Sequence, residues 1–302
     1  MSKTRIRELF TFLLFFTFAC QGTWPLRPAS QPATASTEFP ASKLGSLERN
    51  ITYCTIEGVE LKLDAYYPAS ANGRWPALVY IHGGSWTGGD KRSPVTMPDR
   101  IALREAGFLV VSVNYRLAPE HQFPAMIEDV KCAVRYLRAK ADQYNIDPER
   151  IGTWGTSAGG HLAALLGLAD ETAGWDVGPY LGHSSSVQAV AVFYGPTDLE
   201  TLLQNNSERV FKNEDLALAS PVNHVSKHAP PFLLLHGDRD RLVPLEQSEV
   251  LAEALTEHGA RAELVIVQNG GHGFMPEDSP DMQPTREEIT ELLVRFFLRA
   301  LR

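Results

Sequence analysis

The sequence has little cysteine, no run of basic residues and no apolar stretch long enough to cross a membrane. It contains three cysteines in 302 residues, too few for a disulfide framework, and no spacing that suits a zinc site. The formal net charge is −8, which disfavours nucleic acid and anionic membrane surfaces as partners. No internal repeat is present. The sequence therefore does not read as a disulfide scaffold, a zinc module, a repeat array or a nucleic-acid-binding protein.

The composition that remains is typical of one globular domain. Hydrophobic residues make up 44% of the chain and charged residues 21%, and a chain of this length can bury a sizeable core. Cys132 occupies an apolar position in a helical pattern, so we expect it to be a small buried side chain. We expect no metal and no cofactor.

The first residues are predicted to direct export. Residues 1–19 read as a signal peptide, because a short basic stretch precedes an apolar run that is too short to span a bilayer. Cys20 follows a small residue, as in a bacterial lipoprotein signal, although Thr17 stands where such signals usually carry leucine. Lipidation of Cys20, with membrane attachment through the lipid, and simple cleavage near Ala19 both remain open. Either predicts a periplasmic or extracellular protein.

The next segment and the body differ in composition. Residues 20–46 are rich in proline, alanine, serine and threonine and lack apolar periodicity, so they are predicted to form a flexible tether. Residues 47–302 are predicted to form one folded domain. Within it, an opening hairpin around Glu57-Gly58 precedes short apolar strands that alternate with amphipathic helices. This alternation predicts an α/β fold with a mostly parallel sheet covered on both faces.

One long segment of the domain, residues 199–229, has no clear strand of its own. It carries some helical pattern and could form a small cap over the site. The alternative is an ordinary surface excursion, and the modest length favours that alternative.

The strongest chemical signal is Gly155-Thr156-Ser157-Ala158-Gly159, which follows a predicted strand and opens a predicted helix. A serine at such a turn is held in a strained backbone conformation and projects at the start of the helix, whose dipole favours a developing anion. Ser157 is therefore the predicted nucleophile. The alternative is a chance match to a common pattern, which the strand and helix on either side argue against.

A second signal is His82-Gly83-Gly84-Ser85-Trp86, directly after another apolar strand. A loop in this position supplies oxyanion-hole amides in such folds. We expect donors from the backbone of Gly84, Ser85 and Ala158, with Gly83 permitting the tight path. His82 is expected to brace this loop, and a plain glycine turn is the alternative.

The acid and the base are predicted on two later loops. Asp238 and Asp240 both follow the strand Phe232 to Leu235, and either carboxylate can reach a histidine on the neighbouring loop. His272 stands among glycines after the last strand, and the order serine, aspartate, histidine suits a nucleophile elbow of this kind. His161, on the helix after Ser157, is expected to pack or to form hydrogen bonds rather than to react.

Together these motifs resemble the α/β-hydrolase esterases from about Thr52 to Leu301, in particular the branch of bifunctional feruloyl and acetyl-xylan esterases beside the hormone-sensitive-lipase-like carboxylesterases. The resemblance implies that Asp240, with Val243-Pro244 after it, is the triad acid. Lipase-like members usually have glycine at Ser85 and aspartate at Thr156, so these departures favour the xylan-esterase-like branch. The residues that carry the resemblance are His82–Trp86, Asn114–Glu120, Gly155–His161, Asp240, Val243-Pro244 and Gly271–Gly273.

The resemblance implies a serine esterase that acts through an acyl-enzyme on a small-molecule or carbohydrate ester, such as acetylated or feruloylated polysaccharide. Two alternatives remain. An amide hydrolase of the same fold, like an arylformamidase or an exopeptidase, would use similar loops. A catalytically silent binding protein of this fold would normally have lost a member of the triad.

Overall fold

A parallel-dominated sheet of eight strands forms the centre of the molecule. The computed structural model describes residues 39–70, 73–203, 209–211, 216–275 and 281–301. The predicted signal peptide, Cys20 and residues 20–38 of the predicted tether lie outside the described residues. Among the described residues, no helix combines the length and the apolar character needed to cross a membrane.

The strands follow the predicted alternation closely. They are β1 (Leu47–Ile56), β2 (Val59–Tyr66), β3 (Trp75–Ile81), β4 (Leu109–Val113), β5 (Ile146–Thr156), β6 (Ala189–Phe193), β7 (Phe232–Gly237) and β8 (Ala262–Val267). β1 and β2 form the predicted opening hairpin. The sheet order is β1-β2-β4-β3-β5-β6-β7-β8, with β1–β2 and β2–β4 antiparallel and the other pairs parallel.

The helices connect these strands and cover both faces of the sheet. They are α1 (Met97–Glu105), α2 (Ala125–Ala139), α3 (Ala141–Tyr144), α4 (Ala158–Leu168), α5 (Leu199–Leu203), α6 (Leu216–Ala219), α7 (Glu246–Glu257) and α8 (Arg286–Ala300). α2 and α3 follow each other directly and are divided at Lys140, whose backbone (φ −110°) is not helical. The two faces bury separate apolar clusters, which confirms the predicted α/β class.

The sheet topology determines where polar side chains meet. Since β3, β5, β7 and β8 run parallel, the loops after them emerge at one edge of the sheet. The carboxyl edge of an open α/β sheet is where ligands bind in such folds. The predicted triad residues and the predicted oxyanion-hole residues all follow the carboxyl ends of these four strands.

The two body cysteines correct an expectation. Cys54 on β1 and Cys132 on α2 form a disulfide across a sequence separation of 78 residues. Cys132 is buried as predicted, but it is not merely a small apolar side chain. A periodic pattern shows that a residue faces the core, but it does not show which residue lies opposite it. By chain entropy, closing a loop of this length stabilises the fold by about 4 to 5 kcal/mol.

Packing also begins before the predicted boundary at residue 47. The ring of Phe39 lies 4.8 Å from that of Trp75 and 5.6 Å from that of Tyr67, measured between ring centroids. A short 3-10 helix, Ala41–Lys43, follows. Residues 39–46, which the sequence assigns to the tether, therefore lie against the body.

Candidate active site

Ser157 occupies a sharp turn between β5 and α4. Its backbone (φ 52°, ψ −123°) lies in a region that non-glycine residues rarely adopt, and such strain persists only where the surroundings enforce it. The Ser157 amide donates to the Phe193 carbonyl at 2.9 Å. A Cβ added to Gly159 would lie 2.2 Å from the Ile81 carbonyl oxygen. The glycine therefore lets α4 approach β3 closely, and the turn projects the serine hydroxyl at the sheet edge.

Three side chains predicted on separate loops meet at this hydroxyl. Ser157 Oγ lies 3.0 Å from His272 Nε2, and His272 Nδ1 lies 2.7 Å from Asp240 Oδ2. The ionised carboxylate can only accept, so Nδ1–H donates to it and Nε2 is left to accept the serine proton. The His272 side chain is 24% exposed and that of Asp240 is fully buried. The arrangement holds the imidazole in the tautomer that a general base needs.

Hydrogen bonds keep Asp240 ionised despite its burial. Burial raises the pKa of this carboxyl, but bonds from His236, His272 and the Val243 amide outweigh it and hold the pKa well below its usual range. The amides of Leu242 and Val243 both donate to Oδ1 at 2.9 Å.

Asp238, the alternative acid that the residues alone left open, is exposed. The structure thus brings Asp240 to the imidazole, as the family resemblance implies.

The segment His82–Trp86, called the oxyanion loop below, passes close to the nucleophile. A Cβ on Gly83 would lie 2.8 Å from the Thr156 carbonyl oxygen and 3.2 Å from Ser157 Cβ, so glycine permits the close path that was expected. Among described residues, the amides of Gly83, Gly84, Ser85 and Ala158 donate to no backbone acceptor outside regular elements. An amide without such a partner can donate to a developing oxyanion.

The motif Asn114–Glu120 contacts the oxyanion loop and supports it. Tyr115 donates from its hydroxyl to the His82 carbonyl at 2.9 Å, and its ring stacks on the His82 imidazole with centroids 4.3 Å apart. Arg116 is itself held by Asp129, whose carboxylate accepts from the guanidinium at 2.9 Å. Burial lowers the pKa of His82, so this ring braces the loop in its neutral form, consistent with the expected role.

A cavity of about 360 Å³ opens beside the Ser157 hydroxyl. Its walls are mainly apolar, and they are formed by Ser85, Trp86, Thr87, Ser157, Ala158, Pro196, Leu202, Leu203, Arg209, Val210, Phe211, Leu242 and Val243. Five of these residues belong to the segment 199–229. This segment was expected to be a surface excursion, but its described part contributes a wall of the cavity, because parts of α5 and residues 209–211 line the same cavity as Ser157.

Two further residues at the site escaped the sequence analysis. The Tyr194 ring lies 4.6 Å from the His272 imidazole, edge to face. His236 is fully buried; its Nε2 donates to the Val243 carbonyl at 2.8 Å and its Nδ1 accepts from the Ser248 hydroxyl at 2.7 Å. One indication of their role was present in the sequence. Tyr194 directly follows β6 and His236 lies near the end of β7, so both are near the carboxyl edge of the sheet, where the triad residues lie. Both hold the acid and base loops in place.

No cluster of three or more histidine, cysteine, aspartate or glutamate side chains suited to a metal ion occurs in the part of the chain that the structure describes. The site instead presents a hydroxyl, an imidazole, a carboxylate and free amides. This set can transfer an acyl group through the serine oxygen.

A family model described as BD-FAE matches residues 63–255. Esterase LipC of Mycobacterium tuberculosis is 32% identical over 239 residues, which cover 72% of this chain and 58% of that protein. Esterase LipQ of the same organism is 36% identical over 216 residues, covering 67% of this chain and 51% of that protein. The chain thus spans about half the length of these relatives.

Two solved structures match over nearly their whole length. A truncated form of a carbohydrate esterase from gut microbiota superimposes with a TM-score of 0.74 at 30% identity, covering 85% of this chain and 97% of that one. Thermogutta terrifontis esterase 2, solved after phosphonylation by cyclosarin, gives a TM-score of 0.72 at 26% identity, covering 85% and 95%.

Proposed function

The chain belongs to the BD-FAE family of α/β-hydrolases, and from that premise we propose that it is a serine carboxylic-ester hydrolase acting through an acyl-enzyme. The observation that carries the proposal is the continuous hydrogen-bonded path from Ser157 through His272 to Asp240, with distances of 3.0 and 2.7 Å. The esterase names of its relatives support the same chemistry.

The reaction proceeds in two acyl transfers. His272 Nε2 takes the Ser157 proton as Oγ attacks the ester carbonyl, and the negative oxygen is received by the free amides of Ser85 and Ala158. The imidazolium then protonates the departing alcohol, while buried Asp240 stabilises its charge. Water then enters and gives a proton to the same nitrogen as its oxygen attacks the acyl carbon. The imidazolium returns that proton to Ser157 Oγ as the bond to the acyl group breaks and the acid leaves. Each step uses only side chains and amides of the chain.

The proposed substrate is an acylated carbohydrate, with an acetyl or feruloyl group as the acyl part. One structural neighbour is a carbohydrate esterase from gut microbiota, and the similarity extends over 97% of that chain. The cavity of about 360 Å³ beside Ser157 has room for more than an acetyl group. Its open mouth fits an acyl group presented on a larger polymer.

We expect the purified protein to release acetate or ferulate from acetylated or feruloylated xylan as well as to hydrolyse p-nitrophenyl acetate. Product release is followed by chromatography against the Ser157→Ala variant as the blank. Hydrolysis of the small ester without release of acetate or ferulate from either polymer would rule out the proposed carbohydrate substrate. The proposed esterase activity would still stand.

Export of the protein, with lipid at Cys20, is part of the proposal. The disulfide between Cys54 and Cys132 supports it, because such bonds form and persist in oxidising compartments. With its own leader, the wild type is expected in the membrane fraction, labelled by radioactive palmitate and without free thiols. Cys20→Ser should lose the label. Recovery of unlabelled protein with reduced Cys54 and Cys132 from the cytoplasm would contradict export.

A further inference from the structure

A buried imidazole outside the triad connects the nucleophile helix to the oxyanion loop. His161 lies on α4, four residues after Ser157, and is fully buried. The Trp86 indole N–H donates to His161 Nδ1 at 3.1 Å, and His161 Nε2 donates to the Ala219 carbonyl at 2.7 Å. One ring therefore joins the nucleophile helix, the oxyanion loop and α6.

The oxyanion loop needs such an anchor because its backbone is strained. Ser85 and Trp86 have φ values of 52° and 58°, in the left-handed region that side chains other than glycine's disfavour. The Trp86 side chain is buried, and its indole meets the His161 ring at 87° with centroids 5.3 Å apart. The Trp86 carbonyl accepts from the Ala118 amide at 2.9 Å. These contacts fix the residue that follows the Ser85 amide.

The ring can fill this role only in its neutral form. Burial lowers the pKa of His161 to about 4, with the Ala219 hydrogen bond and nearby His224 as smaller influences. Neutral imidazole with hydrogen on Nε2 offers Nδ1 as an acceptor to Trp86. A protonated ring would present two donors and lose that bond.

We propose that His161 is a positioning residue that holds the oxyanion loop through Trp86, so that its amides face the oxyanion formed at Ser157. The inference rests on the proposed esterase function. Since the oxyanion exists only in the transition state and the intermediates, misplacing its donors lowers kcat and leaves KM nearly unchanged.

Two substitutions of His161 separate its two hydrogen bonds. His161→Asn keeps an acceptor near the position of Nδ1, facing Trp86, whereas His161→Gln keeps a donor near the position of Nε2, facing Ala219. We expect His161→Gln to lower kcat for p-nitrophenyl acetate about tenfold with little change in KM. His161→Asn should retain most of the wild-type kcat. A role limited to packing predicts equal kcat values for the two.

Trp86→Phe removes the donor of the hydrogen bond between Trp86 and His161. It tests the same bond, and it replaces His161→Gln in the test if that variant fails to fold. It should lower kcat by a similar factor, and the double variant Trp86→Phe/His161→Gln should lose no more than either alone. The matched control is His224→Gln. His224 Nε2 donates to the Leu218 carbonyl at 2.6 Å, so the same substitution is made at a histidine that is bonded to the neighbouring carbonyl and not, among the described residues, to Trp86. For this control, kcat should stay at the wild-type value.

The outcomes separate this inference from the proposed function. An active wild type with unchanged kcat in His161→Gln, or with equal losses in His161→Gln and His161→Asn, would overturn the positioning role alone. A wild type that neither hydrolyses p-nitrophenyl acetate nor reacts with a fluorophosphonate would overturn both. A fall in kcat confined to His161→Gln and Trp86→Phe, with unchanged melting temperatures, supports the inference.

Discussion

Ser157→Ala is expected to lower turnover of p-nitrophenyl acetate by about four to six orders of magnitude. The change removes the only atom of the site that can form the acyl-enzyme and leaves His272 and Asp240 in place. Steady-state rates at saturating ester measure it, and labelling by a fluorophosphonate should disappear in the same variant. The fold should persist, since alanine can occupy the same backbone conformation at a similar cost.

The matched control for this variant is Ser226→Ala. Ser226 is an exposed serine whose hydroxyl only accepts from the His228 amide at 3.3 Å. It should keep wild-type turnover and labelling. Wild-type turnover in Ser157→Ala, with a folded protein by circular dichroism, would refute Ser157 as the nucleophile.

Asp240→Asn is expected to lower kcat about 10³- to 10⁴-fold while leaving KM within a small factor. The amide nitrogen of asparagine can face His272 Nδ1 as a donor, which favours the tautomer with hydrogen on Nε2. That nitrogen then cannot take the proton of Ser157. The charge that stabilises the imidazolium is lost as well. Stopped-flow or steady-state rates across neutral pH give the comparison.

Asp238→Asn is the control, because it makes the same chemical change two residues away on the same loop. Asp238 is exposed, so its variant should retain near wild-type kcat. If Asp238→Asn were the slower enzyme of the two, the acid would have been assigned to the wrong carboxylate.

The sequence predicted the fold because its signals are local. Most of the parallel strands are short apolar runs bounded by turn residues, and the longer helices show apolar residues at helical spacing. The loops that carry Ser157, Asp240 and His272 follow from this pattern, since parallel strands end at one edge of the sheet. Choosing between Asp238 and Asp240 was different, because both residues sit on the same loop and only the family pattern or the tertiary structure separates them.

What the sequence did not predict depends on contacts between distant segments. The bond between Cys54 and Cys132 joins residues 78 positions apart, and no local pattern records that distance. The packing of Phe39 on Trp75 is of the same kind, because a single aromatic residue in a proline-rich stretch has no periodicity. The position of Val210 and Phe211 in the cavity wall also required the tertiary structure.

The residues that hold the triad and the residues that line the cavity lie in different parts of the fold. This separation affects how the ester specificity of the protein can change. The reacting groups and their supports are fixed by the sheet edge, the disulfide-linked core and buried contacts such as that of Tyr115 with His82. Much of the cavity wall comes instead from Leu202, Leu203, residues 209–211 and Leu242, which is 62% exposed. Substitutions at exposed Leu242 can change which ester is accepted at little cost to folding. New specificities can therefore arise without rebuilding the chemistry.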